Sequence, residues 1–497
     1  MSDKHYLTDF PITPGTQITD LESEVPQVYD YDTINQRIDA VAAGLLKLNL
    51  PTNSKIGVIG YNSYNFITTN VGIYRARDAS VPINYTVPKE LVEFCLRDSD
   101  VKLVFCNSEF QHLVPSNIPL IVFNTEDFDN FLCYSDYKIP ELDQDYTISV
   151  VYTSGTTGMP KGVVTSYGSR LWQLHRGIAE PVARHDLTVF LHSSPLYHLA
   201  GLNNIEHDLF FSEYKNVHAI IMPYFNARTY IKKIDEYKCT HVRLIAPMMS
   251  MILKEQDLLE QADLTSVQYI ALTSSFAPLK LQNDILQYFT KVIAIINPYG
   301  STETGSVFGG HPMGIPKPKI SAGYPLNHVT VRLDEQGILQ VKSPTILSNY
   351  INRPDLYEKS MTADGYYITG DIFTVNKYGF YFYQGRADDM FKSGGEKIYP
   401  SEIESVIDSY PSVAISTVVG IPDEIKGHKP YAFVQLHANA IATAEEIKEY
   451  TIKNVASYQI PRQIWILETL PKTNIGKIDR RYLTELAIQL LKENHDI

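Results

Sequence analysis

The chain has 497 residues, 44% of them hydrophobic and 20% charged, an ordinary globular composition long enough for several sub-domains with cores of their own. A formal net charge of −13 argues against a general nucleic-acid or anionic-membrane surface and confines any basic site to a local pocket. No apolar stretch has the length needed to span a bilayer, residues 1–20 lack an apolar core behind a basic start, and Cys95, Cys106, Cys133 and Cys239 lie far apart with no Cys-x-x-Cys pair, so a cytoplasmic protein with reduced thiols is expected.

Ile34, Ile38, Val41, Ala42, Leu45 and Leu46 recur at helical spacing and predict an amphipathic helix over 32–48, capped by Asp32 or Thr33. Short apolar runs at 56–59, 80–83 and 103–106 alternate with helical stretches at 64–77 and 89–96, the rhythm of parallel βαβ units covered on both faces. It resumes with candidate strands at 187–192, 219–222, 242–245, 269–273 and 292–296. Residues 321–384 change character. Short strands at 329–333, 337–341, 366–369 and 379–383, bounded by Gly, Pro and Asn, predict an antiparallel or barrel-like segment. Beyond it, a helix starting at Ser401 after Pro400, strands at 416–420 and 432–436, and a capping box from Thr443 to Glu446 read as a compact α+β module.

The most informative stretch is 151–163, Val-Tyr-Thr-Ser-Gly-Thr-Thr-Gly-Met-Pro-Lys-Gly-Val, which reads as strand, loop, strand. Gly155 and Gly158 let the backbone approach a ligand closely. Thr153, Ser154, Thr156 and Thr157 add hydroxyls, and Lys161 adds a positive charge. Such a loop suits a polyphosphate, although its spacing is not that of a Walker A motif and no Ser or Thr follows Lys161.

Residues 152–163 resemble the phosphate loop of the adenylate-forming (AMP-binding) superfamily, which includes acyl- and aryl-CoA synthetases, carrier-loading adenylation domains and luciferases, and further motifs of that superfamily follow in order. The resemblance extends over roughly residues 28–485 and implies an α/β fold. A large amino-terminal domain of two α/β sub-domains and a small β-barrel-like segment would span 1–387. A small mobile α+β carboxy-terminal domain would span 388–497 and rotate between two half-reactions.

Residues 297–305, Asn-Pro-Tyr-Gly-Ser-Thr-Glu-Thr-Gly, match the second signature. The resemblance implies that Tyr299 stacks on adenine, that Thr302 contacts phosphate and that Glu303 holds Mg2+, with Asn297, Gly300 and Ser301 in the same nucleotide site. In Tyr367-Ile-Thr-Gly-Asp371, Asp371 would accept from the ribose hydroxyls, while Arg386 of the following Gly-Arg motif would pair with ribose or phosphate and Asp388 would be the hinge. Lys392 would also contact the nucleotide. Ser393, Gly394, Gly395 and Glu396 would line a pantetheine tunnel. Lys477, in the 470–480 motif, aligns with the lysine that reaches the reacting carboxylate and α-phosphate.

Residues 195–202 match the segment whose histidine borders the acyl carboxylate, implying an acyl pocket of Tyr197, His198, Leu199, Ala200, Ser275, Gly300, Ser306 and Val307. Ser275, Phe276 and Ala277 would also touch the nucleotide. Phe276 departs from the small residue usual there, and Gly427-His428 replaces the commoner Gly-Glu. The resemblance thus implies an ATP-dependent acid–CoA ligase using a small carboxylic acid, ATP, Mg2+ and CoA, with catalytic roles for Lys477, His198, Thr302 and Glu303. Loading of an acyl-carrier protein is the alternative. A luciferase-like oxidative enzyme and a non-catalytic binding protein are disfavoured, the latter because Lys477, Glu303 and Asp371 are all present. The resemblance does not name the acid.

Overall fold

The computed structural model describes residues 12–141, 143–153, 159–175, 187–210, 216–273, 277, 279–310, 317–318, 320–437, 440–472 and 478–493. They form two compact units, one comprising 1–331 and 341–367 and the other 332–340 and 368–497.

The larger unit is built on two seven-stranded sheets. In the first, Lys55–Ile59, Ala79–Pro82, Val101–Cys106, Leu120–Val122 and Thr147–Thr153 pair in parallel. Lys161–Ser166 then folds back antiparallel on Thr147–Thr153, and Asn349–Tyr350 closes that edge. In the second, Ala294–Ile296, Tyr269–Thr273, His241–Ile245, Thr188–His192, Val217–Ile221 and Gln17–Asp20 are parallel, with Gln27–Tyr29 antiparallel at the edge. The predicted βαβ rhythm is therefore present in both halves. The strand Gln17–Asp20 escapes sequence reading because four residues carry no period of their own; its stability comes from pairing with Val217–Ile221, some two hundred residues away.

Local chemistry explains the helices that flank these sheets. Tyr31–Lys47 buries Ile34, Ile38, Val41 and Leu45 on one stripe, as its spacing requires. Its cap is Asp30, not Asp32 or Thr33: extended backbone at Asp30 (φ −84°, ψ 173°) lets its carboxylate accept the Thr33 N–H at 2.9 Å, so Asp32 falls in the first turn, where a negative charge suits the helix dipole. Ser63 caps Tyr64–Arg75 in the same way, accepting from the Phe66 N–H. That helix is buried along its whole length, as a helix between packed layers must be.

A three-stranded sheet of Tyr299–Ser301, Gly305–Gly310 and Tyr324–Pro325 carries the second signature. The predicted antiparallel segment is a four-stranded sheet ordered Thr330–Leu333, Ile338–Lys342, Tyr367–Val375 and Tyr381–Arg386. In the smaller unit, Val413–Asp423 and Gly427–Leu436 form a long hairpin flanked by Phe391–Ser393, Glu396–Ile398 and Ile464–Leu467. Helix Pro400–Ile407 starts with proline in its first turn, and the capping box Thr443/Glu446 opens Ala444–Ile452, both as expected.

Candidate active site

The hairpin Thr147–Thr153/Lys161–Ser166 places Thr153 directly opposite Lys161, at the two ends of the candidate phosphate loop. Ser154, Gly155, Thr156, Thr157 and Gly158 lie outside the described residues. Gly162 is the hairpin's tight point: a Cβ there would lie 2.5 Å from Ile351 Cγ2, so the strand can seat against Asn349–Tyr350 only without a side chain. Tyr350, brought in by that edge strand, puts its ring 5.9 Å from Lys161 Nζ, within reach of a cation–π interaction. Its hydroxyl lies 3.1 Å from the Tyr367 hydroxyl and 3.5 Å from Glu303 Oε1, at the outer edge of hydrogen-bond reach.

Glu303 sits in the turn that joins Tyr299–Ser301 to Gly305–Gly310. The turn holds itself closed: the Ser301 N–H donates to Thr304 Oγ1 and the Thr304 N–H to Ser301 Oγ, each at 3.2 Å. Leu347 N–H donates to the Glu303 carbonyl at 2.7 Å. Thr302 and Glu303 are half-buried. Lys161, Tyr350 and Glu303 thus form one cluster of cation, hydroxyl and carboxylate assembled from three distant segments. Tyr350 has no sequence signal, because only the pairing of residues 349–350 with 163–164 brings it there.

The neighbouring nucleotide candidates are arranged around Asn297. Its Oδ1 accepts the Ala277 N–H at 3.0 Å and its Nδ2 donates to the Leu272 carbonyl, so it ties the end of Tyr269–Thr273 to buried Ala277. Ser275 and Phe276 lie outside the described residues. The Tyr299 ring packs 5.7 Å from that of Phe308, and Gly300 faces Ser306 in the ladder. Of the acyl-pocket candidates, Val307 is fully buried, Ser306 is half-buried and Gly300 is exposed. Tyr197 and Leu199 are buried, Ala200 is half-buried and His198 is exposed. His198 immediately precedes helix Leu199–Phe210, and its ring lies edge-on at 4.8 Å from that of Tyr197, which meets Tyr85 at 5.4 Å. Gly201 fixes that entry, since a Cβ would stand 2.2 Å from the Pro195 carbonyl oxygen.

In the smaller unit, Asp371 and Arg386 are cross-strand partners, with Arg386 Nη1 donating to Asp371 Oδ1 at 3.2 Å. Asp371 is buried and Arg386 exposed, which leaves the guanidinium accessible to a ligand. Burial, followed by the Asp371 charge, pushes the Tyr383 hydroxyl beside them above its ordinary range, so it is a neutral donor at physiological pH. Ser393, Gly394, Gly395 and Glu396 form the hairpin tip between Phe391–Ser393 and Glu396–Ile398, with Lys392 exposed and Ser393 buried. Gly427 has φ +77° and pairs with Ser393 at the end of the neighbouring hairpin, a left-handed conformation that favours glycine. His428 lines a cavity of about 610 Å³ with Asp388, Asp389, Lys392, Arg480 and Arg481. The Gly-His departure thus combines a required backbone with a ring 6.0 Å from Phe391.

Lys477 lies outside the described residues; Arg480, in the same motif, is anchored within the smaller unit. Its guanidinium pairs in bidentate fashion with Glu404 (2.6 and 2.8 Å) and donates to the Val418 carbonyl at 2.8 Å, with Nε 3.6 Å from Asp389. No group of three or more His, Cys, Asp or Glu among the described residues could hold a metal unaided. The lone carboxylate of Glu303 instead fits a magnesium ion that takes most of its ligands from phosphate and water.

The chain belongs to the AMP-binding enzyme family: residues 17–350 match its family model, and residues 402–477 match that of the AMP-binding enzyme C-terminal domain. Among curated relatives, a 2-succinylbenzoate–CoA ligase of Listeria monocytogenes is 28% identical over 467 residues, covering 92% of this chain and 94% of the relative. Among solved structures, o-succinylbenzoate CoA synthetase from Bacillus subtilis in complex with the acyl-adenylate OSB-AMP superposes with a TM-score of 0.80 at 23% identity, covering 95% of each chain. ATP-bound MatB from Rhodopseudomonas palustris superposes with a TM-score of 0.82 at 19% identity, covering 96% of each. These superpositions establish the shared fold.

Proposed function

We propose that the protein is an ATP-dependent acid–CoA ligase whose acid carries an aromatic ring. A carboxylate oxygen attacks the α-phosphorus of ATP and pyrophosphate leaves; the CoA thiol then attacks the acyl carbon, losing its proton, and AMP leaves with the electron pair of the broken C–O bond. The observation that carries this reading is the Lys161–Tyr350–Glu303 cluster beside the phosphate-loop hairpin. It sets a cation and a hydroxyl on paired strands where a polyphosphate needs charge, with a carboxylate for the counter-ion. Magnesium bound at Glu303 would neutralise charge on the phosphate oxygens.

The remaining roles rest on the family resemblance together with the placements above, that of Lys477 on the resemblance alone. Thr153, Lys161 and Thr302 hold phosphate, Asp371 accepts from ribose with Arg386 alongside, and Lys477 stabilises the charge that develops on the α-phosphate. His198 borders the acid. An acid with an aromatic ring is supported by the names of the Listeria and Bacillus subtilis proteins and by the aromatic neighbours of His198, Tyr197 and Tyr85. Free CoA is supported as acceptor by the name of the Listeria relative, and the open hairpin tip at Gly394 and Gly395 leaves room for a pantetheine arm, which CoA and a carrier protein share. Residues 388–497 act as the domain that serves both half-reactions. A cytoplasmic setting suits the four cysteines, all free and buried, and among the described residues no helix is long and apolar enough to cross a membrane.

The test is turnover with ATP, magnesium and CoA across mono- and dicarboxylic acids with and without an aromatic ring, following thioester and AMP. Acids with an aromatic ring, of the succinylbenzoate kind, should lead the ranking. A ranking led by acids without a ring would refute the acid class. Rapid loading of a phosphopantetheinylated carrier protein, with no product from CoA, would refute the acceptor.

A further inference from the structure

Behind the Glu303 turn runs a chain of buried hydrogen bonds that ends on a fully buried guanidinium. Thr345 Oγ1 donates to the Thr304 carbonyl at 2.6 Å, and the Thr345 carbonyl accepts from Gln173 Nε2 at 3.1 Å. Gln173 Oε1 accepts in turn from Arg170 Nη1 at 3.1 Å. Arg170 is held by Glu206 Oε2 at 2.5 Å and by Asn203, and Glu206 also accepts from Asn70 (3.0 Å) and Tyr74 (3.1 Å). Arg170, Gln173, Glu206, Thr304 and Thr345 are each exposed by 1% or less. No bulk water can replace a lost donor there, so each link that breaks leaves an orphaned polar atom. At Gly305 (φ +65°) a Cβ would stand 3.1 Å from Thr345 Cβ and 3.2 Å from Gln173 Cγ, so the turn is seated directly on both side chains.

A buried ion pair is a poor source of stability, because its desolvation offsets most of the attraction. Its orientation here supplies another reason for it. Arg170 aims Gln173, Gln173 holds Thr345, and Thr345 holds the backbone next to Glu303. The same guanidinium contacts Asn203 and Glu206 on helix Leu199–Phe210, which begins directly after His198, so one buried charge anchors segments on the phosphate side and on the acid side.

We propose that Gln173 and Thr345, aligned by Arg170, are positioning residues that fix the Glu303 carboxylate for magnesium. This inference rests on the role given to Glu303 above. The experiment compares Thr345→Val, which keeps the volume and loses the hydroxyl, with Thr345→Ser, which keeps the hydroxyl, and adds Gln173→Met. The measurements are magnesium binding to the protein–ATP complex without acid, by titration calorimetry, and the magnesium dependence of acid-dependent pyrophosphate exchange, set beside the KM for the acid and thioester formation from supplied acyl-adenylate. In Thr345→Val and Gln173→Met the magnesium Kd of the protein–ATP complex and the magnesium needed for half-maximal exchange should both rise about ten-fold or more. Thr345→Ser should stay near wild type, and the KM for the acid and the second half-reaction should be unchanged. Wild-type magnesium dependence in both folded variants overturns the proposal. So does equal loss of both half-reactions, or failure of both variants to fold, since either marks a purely structural network. If the unmodified protein exchanges no pyrophosphate with any acid, it is the proposed function that fails instead.

Discussion

Two sets of glycines in this molecule serve opposite ends. At Gly300 in the larger unit, an added Cβ would stand 2.3 Å from the Gly305 carbonyl oxygen, so the ladder carrying the Glu303 turn closes only because no side chain is there. At Gly394 and Gly395 in the smaller unit nothing lies within 4 Å, and the backbone is left-handed (φ +60° and +93°). The first glycine is demanded by the protein's own packing. The second pair is demanded by a turn that leaves space beside it, which packing alone does not explain. The residues proposed to hold phosphate are thus held by a dense buried scaffold, whereas the proposed thiol-side residues depend on an opening.

The largest effect should come from Lys477→Ala. Loss of one charge-stabilising donor should slow pyrophosphate exchange about 10²–10³-fold. Thioester formation from supplied acyl-adenylate should persist, and an equal loss in both steps would refute the division of labour. Gly300→Ala should follow, with overpacking that costs about 1–3 kcal/mol and lowers both the melting temperature and the rates of both half-reactions. An active, fully stable Gly300→Ala protein would break the packing half of the comparison.

Gly395→Leu should behave oppositely. Backbone strain of ~1 kcal/mol is its main structural cost, so exchange should stay within a few-fold of wild type while thioester synthesis falls at least ten-fold. Collapse of exchange would make Gly395 structural. The smallest effect should come from Asp78, which calibrates the scaffold behind the phosphate hairpin. Burial pushes its carboxyl up to about 7, although the Ser54 N–H donates to it. A raised folded pKa favours the protonated form, so its contribution is full below about pH 4 and is lost as pH rises towards 7. Asp78→Asn keeps the acceptor, and should raise stability by about 1 kcal/mol or more at pH 8 with little change at pH 4. Chemical denaturation at the two pH values checks the sign.

The parts of the fold legible in the sequence were those written in local chemistry. The strand at 269–273, the capping box at Thr443 and Glu446, and the hairpin around the phosphate loop all stand where period, caps and glycines put them. Asp30 was missed as a cap because Asp, Asp and Thr at 30, 32 and 33 are all competent caps, and only the extended backbone at Asp30 decides among them. Tyr350, Gln173 and Thr345 were illegible for a different reason. Each acts through a contact across 40 or more residues, and none belongs to a motif. In the smaller unit the Asp371–Arg386 pair could be located because a short hairpin makes cross-strand partners of residues in neighbouring motifs. Arg480 stood in a recognised motif, but its partner Glu404 lies 76 residues away.

In the proposed reaction, acid activation passes through an adenylate. Its most direct test is incorporation of labelled pyrophosphate into ATP by the purified protein with magnesium and an acid that carries an aromatic ring, without CoA, together with identification of the nucleotide released once CoA is added. The account predicts exchange that requires the acid and release of AMP. Release of ADP and phosphate, without exchange for any acid that is converted to a thioester, would contradict it.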